Sequence, residues 1–182
     1  MPTVWNIDPV HTHVQFSVRH LMVSNVKGRF AKTGGTVTLD ESDFTKSKID
    51  VVMDADSLDT QEPQRDAHLK SADFLEVAQY PTLSFRSTKI TPRGSEGEFT
   101  LTGDLTIHGV TRPVTLKVDA PSPVIKDPWG GTRRGFEANG EISRKEWGLV
   151  YNQALEAGGV MVGDKVKIGL EVELVKAEPK AA

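Results

Sequence analysis

Residues 98–107 read EFTLTGDLTI, and the side chains in this stretch alternate in polarity. Such a period of two predicts a β-strand with one face in the core and the other in water. The inward face would carry Phe99, Leu101, Gly103, Leu105 and Ile107, and the outward face would carry Glu98, Thr100, Thr102, Asp104 and Thr106. The stretch therefore indicates an antiparallel sheet that buries one of its sides.

The same alternation recurs on both sides of this strand. Residues 12–20 place Val14, Phe16 and Val18 on one face together with Thr12 and His20, and residues 166–174 place an aliphatic residue at every second position. Further strands are expected where β-branched or aromatic residues are bounded by Gly, Pro, Asp or Ser. These segments are 3–7, 26–40, 46–54, 82–90, 114–118 and 133–143. We therefore expect an all-β chain of about eight to ten strands.

Residues 61–76 interrupt the alternation and predict one short helical insertion. Pro63 suits the first turn of a helix, and Tyr80-Pro81 would end the insertion and begin the next strand. No linker or repeat divides the chain, so we expect residues 3–176 to form a single domain. Residues 177–182 are expected to be a disordered tail.

The composition excludes several classes of protein. The 182 residues include no cysteine, which excludes disulfides, thiolate metal sites and thiol nucleophiles. Lys and Arg number 22 against 25 Asp and Glu, and the two signs are interspersed, which argues against nucleic-acid binding. Gly130-Gly131-Thr132 lacks the spaced glycines and the lysine of a phosphate-binding loop. We expect no cofactor.

The first residues of the chain bear on its location. They read MPTVWNID and contain neither a basic leader nor an apolar stretch of the length that a signal peptide or an anchor needs. We therefore expect a cytoplasmic protein, or a periplasmic one if a signal peptide preceded these residues.

Several motifs along the chain resemble those of one known family. In order they are Trp5-Asn6-Ile7-Asp8, His11, Phe16, Val18, His20, Val26, Gly28 and Phe30; Ser57-Leu58-Asp59-Thr60, Arg65-Asp66, His68-Leu69, Asp73-Phe74, Tyr80-Pro81 and Phe85; Gly103, Leu105, His108-Gly109-Val110-Thr111 and Pro113-Val114; and Gly135-Phe136, Ile142-Ser143-Arg144, Trp147-Gly148 and Val162-Gly163-Asp164. Their order is intact over residues 4–175. The chain thus resembles the YceI-like family of polyisoprenoid-binding proteins.

This resemblance implies a lipocalin-like, eight-stranded antiparallel β-barrel with the short helical insertion at residues 61–76. Its apolar cavity would hold a polyisoprenoid or another long-chain amphiphile, and a homodimer is expected. Periodicity alone does not separate a barrel from a β-sandwich, because both alternate inward and outward residues. The prediction of a closed barrel therefore depends on the resemblance.

The expected function is the non-catalytic binding, storage or transport of an amphiphilic lipid such as a polyprenyl diphosphate or an isoprenoid quinone precursor. Transient contact with a membrane would load the cavity. Two alternatives stay open at this point. One is an enzyme that acts on an isoprenoid or another lipid in the same cavity, with His20 and a partner carboxylate as acid and base. The other is a stress-related interaction protein with a filled core.

Residues on the inward faces are the candidates for the cavity wall. Periodicity alone favours an ordinary filled core, because most apolar faces simply pack, and the family resemblance reverses that preference. The predicted wall consists of Val14, Phe16, Val18, His20, Phe30, Phe85, Leu101, Leu105, Ile107, Phe136, Ile168 and Leu170. The predicted head-group contacts are Arg65, His68, Arg144 and Trp147. No catalytic residue and no metal ligand is predicted.

Some of these polar residues have a second interpretation. Arg65 can bind an acidic head group through charge-assisted hydrogen bonds, but a tether between the helix and neighbouring loops is the preferred interpretation. His20 can equally be a buried histidine that is satisfied by the protein. His11 and His13 have a His-x-His spacing, but no third ligand accompanies them in the sequence, so we expect a structural or surface pair.

Overall fold

The computed structural model describes residues 1–179, and within them the chain forms twelve β-strands and one α-helix. The strands are β1 (Thr3–Ile7), β2 (His13–His20), β3 (Ser24–Phe30), β4 (Thr33–Leu39), β5 (Lys48–Asp54), β6 (Leu58–Asp59), β7 (Thr82–Pro92), β8 (Glu98–Ile107), β9 (Val110–Asp119), β10 (Ile125–Lys126), β11 (Thr132–Ser143) and β12 (Val162–Lys176). The helix α1 spans Pro63–Lys70, and short 3₁₀ turns span Phe44–Lys46, Ala55–Ser57 and Arg144–Trp147. No helix in this part of the chain has the length and apolar character needed to span a bilayer.

Antiparallel pairing closes the sheet into a barrel with eight strand positions. β12 closes the ring, because β11 pairs with one of its edges and β2 and β1 pair in succession with the other. β1 and β2 share one position and β3 and β4 share the next, since β1 pairs with β4 and β2 pairs with β3. The other positions are β5, β7, β8, β9 and β11. The predicted all-β, lipocalin-like barrel is confirmed.

The predicted strand at 26–40 is divided into β3 and β4 by a bend at residues 31 and 32. Here Ala31 N donates a hydrogen bond to Ser57 O at 3.1 Å, and Lys32 N donates one to Ser57 Oγ at 3.0 Å. The pairing partner changes from β2 to β1 across the bend. One stretch of chain therefore contributes to both ends of the barrel.

Two strands begin earlier than their alternation predicts. The break at residues 108–110 is a tight turn in which His108 and Gly109 have φ angles of 52° and 71°, so β9 begins at Val110 instead of Val114. A turn with positive φ at two successive residues suits the right-handed twist of a hairpin. β12 likewise begins at Val162 instead of Val166.

One end of the barrel is filled by side chains. Val37 lies opposite Trp5 in the β1–β4 pair, and the indole Nε1 of Trp5 donates a hydrogen bond to Thr3 Oγ1 at 2.9 Å. The side chains at this end that are at most 2% exposed are Trp5, Val37, Leu39, Val118 and Leu174. None of these five borders the cavity described below. Empty space is therefore confined to the rest of the barrel.

The predicted tail at 177–182 lies partly outside the described residues, which end at residue 179. Ala177 N donates a hydrogen bond to Val4 O at 2.9 Å. The chain therefore continues to follow β1 for one residue beyond the end of β12.

Candidate functional site: an apolar cavity in the barrel

The barrel encloses a cavity of about 190 Å³. Its wall is apolar apart from Gln15 and Arg144. Eleven of the twelve predicted wall residues border it, namely Val14, Phe16, Val18, Phe30, Phe85, Leu101, Leu105, Ile107, Phe136, Ile168 and Leu170. The alternation of side chains along the strands places these residues inside. Their contact with a ligand stays a prediction.

His20 does not border the cavity. It is the last residue of β2, is half-buried, and lies opposite Ser24 in β3 and Val162 in β12. The register between β12 and β2 shifts between Val162 and Val166, and a turn follows His20 directly. The inward face of β2 therefore does not extend to its last residue, and this position does not support a role for His20 in the cavity.

Two phenylalanine rings of the wall lie against glycines of neighbouring strands. Gly28 is directly opposite Phe16, and a methyl group on Gly28 would overlap the Phe16 ring. A methyl group on Gly103 would overlap the Phe85 ring and lie 2.6 Å from Arg86 O. Because each ring occupies the space above a glycine, it extends less far into the barrel than a ring packed on a larger side chain. The glycines thus help to keep the interior open.

The end of the cavity opposite Trp5 is covered by α1, the turn after it, and the loop between β11 and β12. Leu69, Phe74 and Leu149 of these segments border the cavity. The Tyr151 ring lies 5.2 Å from the Phe74 ring and 4.8 Å from the His68 ring between centroids. These contacts join the two segments across the end of the barrel. We call this region, residues 68–75 and 149–162, the mouth, and we call residues 149–162 the mouth loop.

Arg144 is the charged residue of the wall and is only 4% exposed. Its Nε donates a hydrogen bond to Gly163 O at 2.9 Å, Nη1 donates one to Leu149 O at 2.7 Å, and Nη2 donates one to Val162 O at 3.3 Å. Burial lowers the pKa of this guanidinium, while Asp164, 3.8 Å away, acts to raise it. A guanidinium carries five N–H groups, and the backbone uses three of them here. Arg144 therefore holds the two ends of the mouth loop together beside the cavity.

Arg65 and His68, both predicted head-group contacts, form hydrogen bonds with the protein. Arg65 donates from Nε to Thr60 Oγ1 and from Nη2 to Thr60 O, both at 2.8 Å, and so ties α1 to the chain after β6. His68 Nε2 lies 2.8 Å from Asp73 Oδ2. Neither residue borders the cavity. The tether interpretation therefore fits Arg65 better than a head-group contact does.

Trp147, the remaining predicted head-group contact, supports the wall from behind. It is fully buried, and its Nε1 donates a hydrogen bond to Leu105 O at 2.9 Å. The next residue, Gly148, has a φ of 78°, which turns the chain back towards the mouth. The indole thus fixes the 3₁₀ turn of Arg144–Trp147 against β8.

The part of the wall that α1 and the loops contribute was not predicted from the sequence. Periodicity gives no orientation for residues outside the alternating strands. The adjacent apolar residues at 74 and 75, in an insertion that is otherwise mostly polar, were the available signal, because such a pair requires burial. The missed wall residues in these segments are Leu69, Phe74, Leu75 and Leu149.

A cluster of polar side chains lies away from the cavity and consists of Asp8, His11 and Glu173. Their side-chain atoms lie within 4.8 Å of one another, as metal ligands do. However, Arg133 Nη1 donates hydrogen bonds to Asp8 Oδ2 at 2.6 Å and to Glu173 Oε1 at 2.7 Å. A cation therefore already occupies the space between the two carboxylates. We assign the cluster as an ion-pair network.

Known proteins share this fold and sequence. Over 139 residues the chain is 43% identical to Protein YceI of Escherichia coli O157:H7, an alignment that covers 76% of this chain and 71% of that protein. The crystal structure of BcnA from Burkholderia cenocepacia superposes with a TM-score of 0.76 at 21% identity, and covers 92% of this chain and 98% of BcnA. The structure of a polyisoprenoid binding domain from Saccharophagus degradans superposes with a TM-score of 0.69 at 14% identity, and covers 96% of this chain and 99% of that domain.

The family model supplies the assignment. The model described as the YceI-like domain matches residues 5–174, which extend from Trp5 in β1 to Leu174 in β12 and include all the strands between them. The match agrees with the order of the motifs along the chain and with the closed barrel. This protein belongs to the YceI-like family.

Proposed function

We propose that this protein binds a long-chain amphiphile, specifically a polyisoprenoid, in the barrel cavity and holds it without changing it chemically. The observation that carries the proposal is the apolar cavity of about 190 Å³. In another protein an apolar cavity of roughly 150 Å³ stays dry and binds benzene. The cavity of this barrel is therefore large enough to accept part of a hydrocarbon chain. The polyisoprenoid-binding domain that shares the fold supports the choice of ligand.

The energetics of an isoprenoid in such a cavity are favourable. Each buried CH₂ group contributes about 0.8 kcal/mol, so one five-carbon isoprene unit contributes roughly 4 kcal/mol. An affinity of about 1 μM requires roughly 8 kcal/mol, before the cost of ordering the ligand is added. A few buried units therefore suffice for binding, and the wall does not need to supply a hydrogen bond.

Arg144 is the residue that we expect to meet a polar head group. The carbon atoms of its side chain border the cavity at the mouth, and backbone carbonyls use three of its five N–H groups. A diphosphate or a quinone carbonyl can accept from the others. The chain of the ligand would then lie along the apolar wall towards the filled end.

The chemistry of the wall favours binding over catalysis. Among the described residues, the wall contains no carboxylate and no imidazole, which an acid–base reaction would use. His20, the acid–base candidate, lies outside the wall. Storage or transport of the lipid is the role that we propose. A homodimer and a cytoplasmic location stay predictions.

Mass spectrometry of lipids extracted from the purified protein tests this proposal. We expect a long-chain isoprenoid to co-purify with the wild-type protein. The double substitution Val166→Phe/Ile168→Phe enlarges two inward residues of β12 and should reduce the extracted isoprenoid at least about tenfold, because the added rings fill the cavity. Titration of lipid-free protein with an isoprenoid quinone, followed by tryptophan fluorescence, gives the affinity directly.

The matched control is Lys165→Phe/Lys167→Phe, which places the same rings on the exposed outer face of the same strand. We expect this variant to retain the lipid. If both double variants lost the same amount of extracted isoprenoid, the ligand would have to bind outside the cavity. A wild-type protein that carries no isoprenoid and does not respond to the quinone would refute the proposed function.

A further inference from the structure

The turn between β2 and β3 exposes three consecutive apolar residues. Leu21 is 41% exposed, Met22 is 55% exposed and Val23 is 74% exposed. The turn is closed by a hydrogen bond from Val23 N to His20 O at 3.1 Å. Three consecutive apolar residues that stay this exposed at the end of a hairpin are costly in water, so their presence needs an explanation. We call residues 21–23 the hairpin tip.

The backbone of the hairpin tip makes its composition more unusual. Leu21 and Met22 have φ angles of 51° and 63°. Positive φ at two successive turn residues is strongly preferred by Asn-Gly and disfavoured by large side chains. The sequence thus places two large apolar residues where both solvation and backbone conformation favour small or polar ones. The conformation of the turn therefore does not explain why these two residues are large and apolar.

The hairpin tip is continuous with the mouth of the cavity. Leu21 N donates a hydrogen bond to Met161 O at 2.8 Å, and the Met22 side chain packs on Gly159 of the mouth loop. Two further exposed aliphatic residues of this loop are Val150, which is 61% exposed, and Val160, which is 37% exposed. Hairpin tip and mouth loop therefore place exposed aliphatic side chains together beside the mouth of the cavity.

The charge of the hairpin indicates what covers this surface. The hairpin of β2 and β3, residues 13–30, contains no Asp or Glu. It contains Arg19, Lys27 and Arg29; Arg29 is paired with Asp59 at 3.5 Å, and the exposed Arg19 and Lys27 are the basic residues nearer the hairpin tip. The chain as a whole has a net charge of −3, so this basic segment contrasts with the rest. Basic residues behind exposed aliphatic ones match the interface of an anionic bilayer, where acyl chains accept the aliphatic groups and phosphates attract the cations.

We propose that the hairpin tip and the exposed residues of the mouth loop insert into the interface of an anionic lipid bilayer and bring the mouth of the cavity to the membrane. This inference rests on the proposed function, since a membrane is where a polyisoprenoid is exchanged. The bound orientation places β12 with its Val162 end towards the bilayer and its Lys176 end away from it. The ligand then passes between bilayer and cavity without crossing water.

Flotation of the full chain with vesicles tests the proposal. The vesicles contain equal parts of phosphatidylglycerol and phosphatidylethanolamine, and a second set contains phosphatidylcholine alone. We expect the wild-type protein to float with the anionic vesicles and at least about fivefold less with the neutral ones. The variant Leu21→Asn/Met22→Gly should float at least about fivefold less with the anionic vesicles. Its melting temperature should rise, because Asn-Gly relieves the strained turn.

The opposite signs of these two effects exclude unfolding as the cause of lost binding. Trp129→Ala is the matched control, because Trp129 is 85% exposed but lies on the β10–β11 turn, at the other end of β12. This variant should float like the wild type. Equal flotation of wild type and Leu21→Asn/Met22→Gly would overturn the proposal. So would a wild-type dimer that this substitution converts to a monomer, since the hairpin tip would then bind a second copy.

Quinone titration in vesicle-free solution separates this proposal from the proposed function. Wild-type protein that binds the quinone but does not float refutes membrane docking alone. Protein that floats but takes up no isoprenoid refutes the proposed function and leaves a membrane-binding surface. The Leu21→Asn/Met22→Gly variant should keep the quinone affinity of the wild type, because neither residue borders the cavity.

Discussion

Gly103 and Gly34 are both strand glycines, but their surroundings differ. A methyl group on Gly103 would overlap the Phe85 ring and lie 2.6 Å from Arg86 O, whereas one on Gly34 would have no atom within 4 Å. We therefore expect Gly103→Ala to lower the free energy of unfolding by roughly 1–3 kcal/mol, the usual cost of overpacking. Gly34→Ala should be neutral or slightly stabilising, since alanine loses less backbone entropy. Urea denaturation of both variants measures the difference, and equal effects would contradict the role given to Gly103.

The inward or outward direction of a strand residue could be predicted from the sequence, but the partners of polar residues could not. Parity along β2, β8 and β12 predicted an inward direction for residues such as Val14, Leu105 and Ile168, and these residues border the cavity. In contrast, the bonds of Arg65 to Thr60 and of Arg144 to the mouth loop depend on which segments fold back on each other. A single sequence carries no measure of such contacts. His20 shows the limit of this prediction, because the alternation of inward and outward side chains ends where a strand enters a turn.

At the scale of elements, one ion-pair network joins β1, the β10–β11 turn and β12 at the filled end of the barrel. Arg133 donates hydrogen bonds to Asp127 Oδ2 and Asp8 Oδ2, both at 2.6 Å, and to Glu173 Oε1 at 2.7 Å. Burial acts to raise the pKa of Asp8, but hydrogen bonds from His11 and Arg133 outweigh it and lower this pKa to about 2. The hydrogen bond from Arg133 also lowers the pKa of Asp127.

These shifts give the network a window of pH in which it stabilises the fold most. The pKa of Asp8 in the folded protein lies below its ordinary value of 3.8, so its contribution is complete above 3.8 and is lost as the pH falls through about 2. The hydrogen bond with Asp8 raises the pKa of His11 above 6.5, so its contribution is complete below 6.5 and is lost as the pH rises through the raised pKa. The network should therefore contribute most between pH 3.8 and pH 6.5.

We expect Arg133→Met to remove this stabilisation. The variant leaves Asp8 and Asp127 without their cation, which should lower the free energy of unfolding at pH 5 by more than the control variant does. The loss of stability between pH 4 and pH 2 should also become shallower, since the pKa of Asp8 returns towards its ordinary value. The control is Arg86→Met, whose ion pair with Asp50 is exposed and should contribute less than about 1 kcal/mol. Urea denaturation at several pH values measures both, and parallel pH profiles of wild type and Arg133→Met would contradict the assignment.

Strands and helices that are long enough to contain several repeats of the hydrophobic pattern were largely predictable from the sequence. β1 and β8 have the predicted bounds, and α1 with the turn after it lies within the predicted insertion. The two-residue strands β6 and β10 and the 3₁₀ turns were missed, because segments of two to four residues contain too few repeats of any period. The division of β3 from β4 depends on hydrogen bonds to Ser57, which is distant in sequence.

At the scale of the whole molecule, the closure of the barrel follows from pairings that periodicity does not contain. β12 pairs with β11, β2 and β1, and these strands come from both ends of the chain. The closed barrel was predicted only from the family resemblance. The structure shows how the two ends of this barrel differ. One end is filled around Trp5, the other end carries the mouth, and the cavity lies between them. We therefore propose that a ligand enters where α1 and the mouth loop meet.

A ligand in this cavity should stabilise the folded protein, because the unfolded chain has no cavity to bind it. For one site, a free ligand concentration of 100 times Kd adds about 2.7 kcal/mol to the free energy of unfolding. We therefore expect lipid-free protein to unfold at lower urea than the same protein reloaded with an isoprenoid quinone. The Val166→Phe/Ile168→Phe variant should unfold at the same urea concentration with and without the quinone.

Hydrogen exchange should show the largest gain in protection at the mouth, residues 68–75 and 149–162, because short turns and loops open most readily when nothing packs beneath them. Protection gained mainly around Trp5 would place the ligand at the wrong end of the barrel and contradict entry through the mouth.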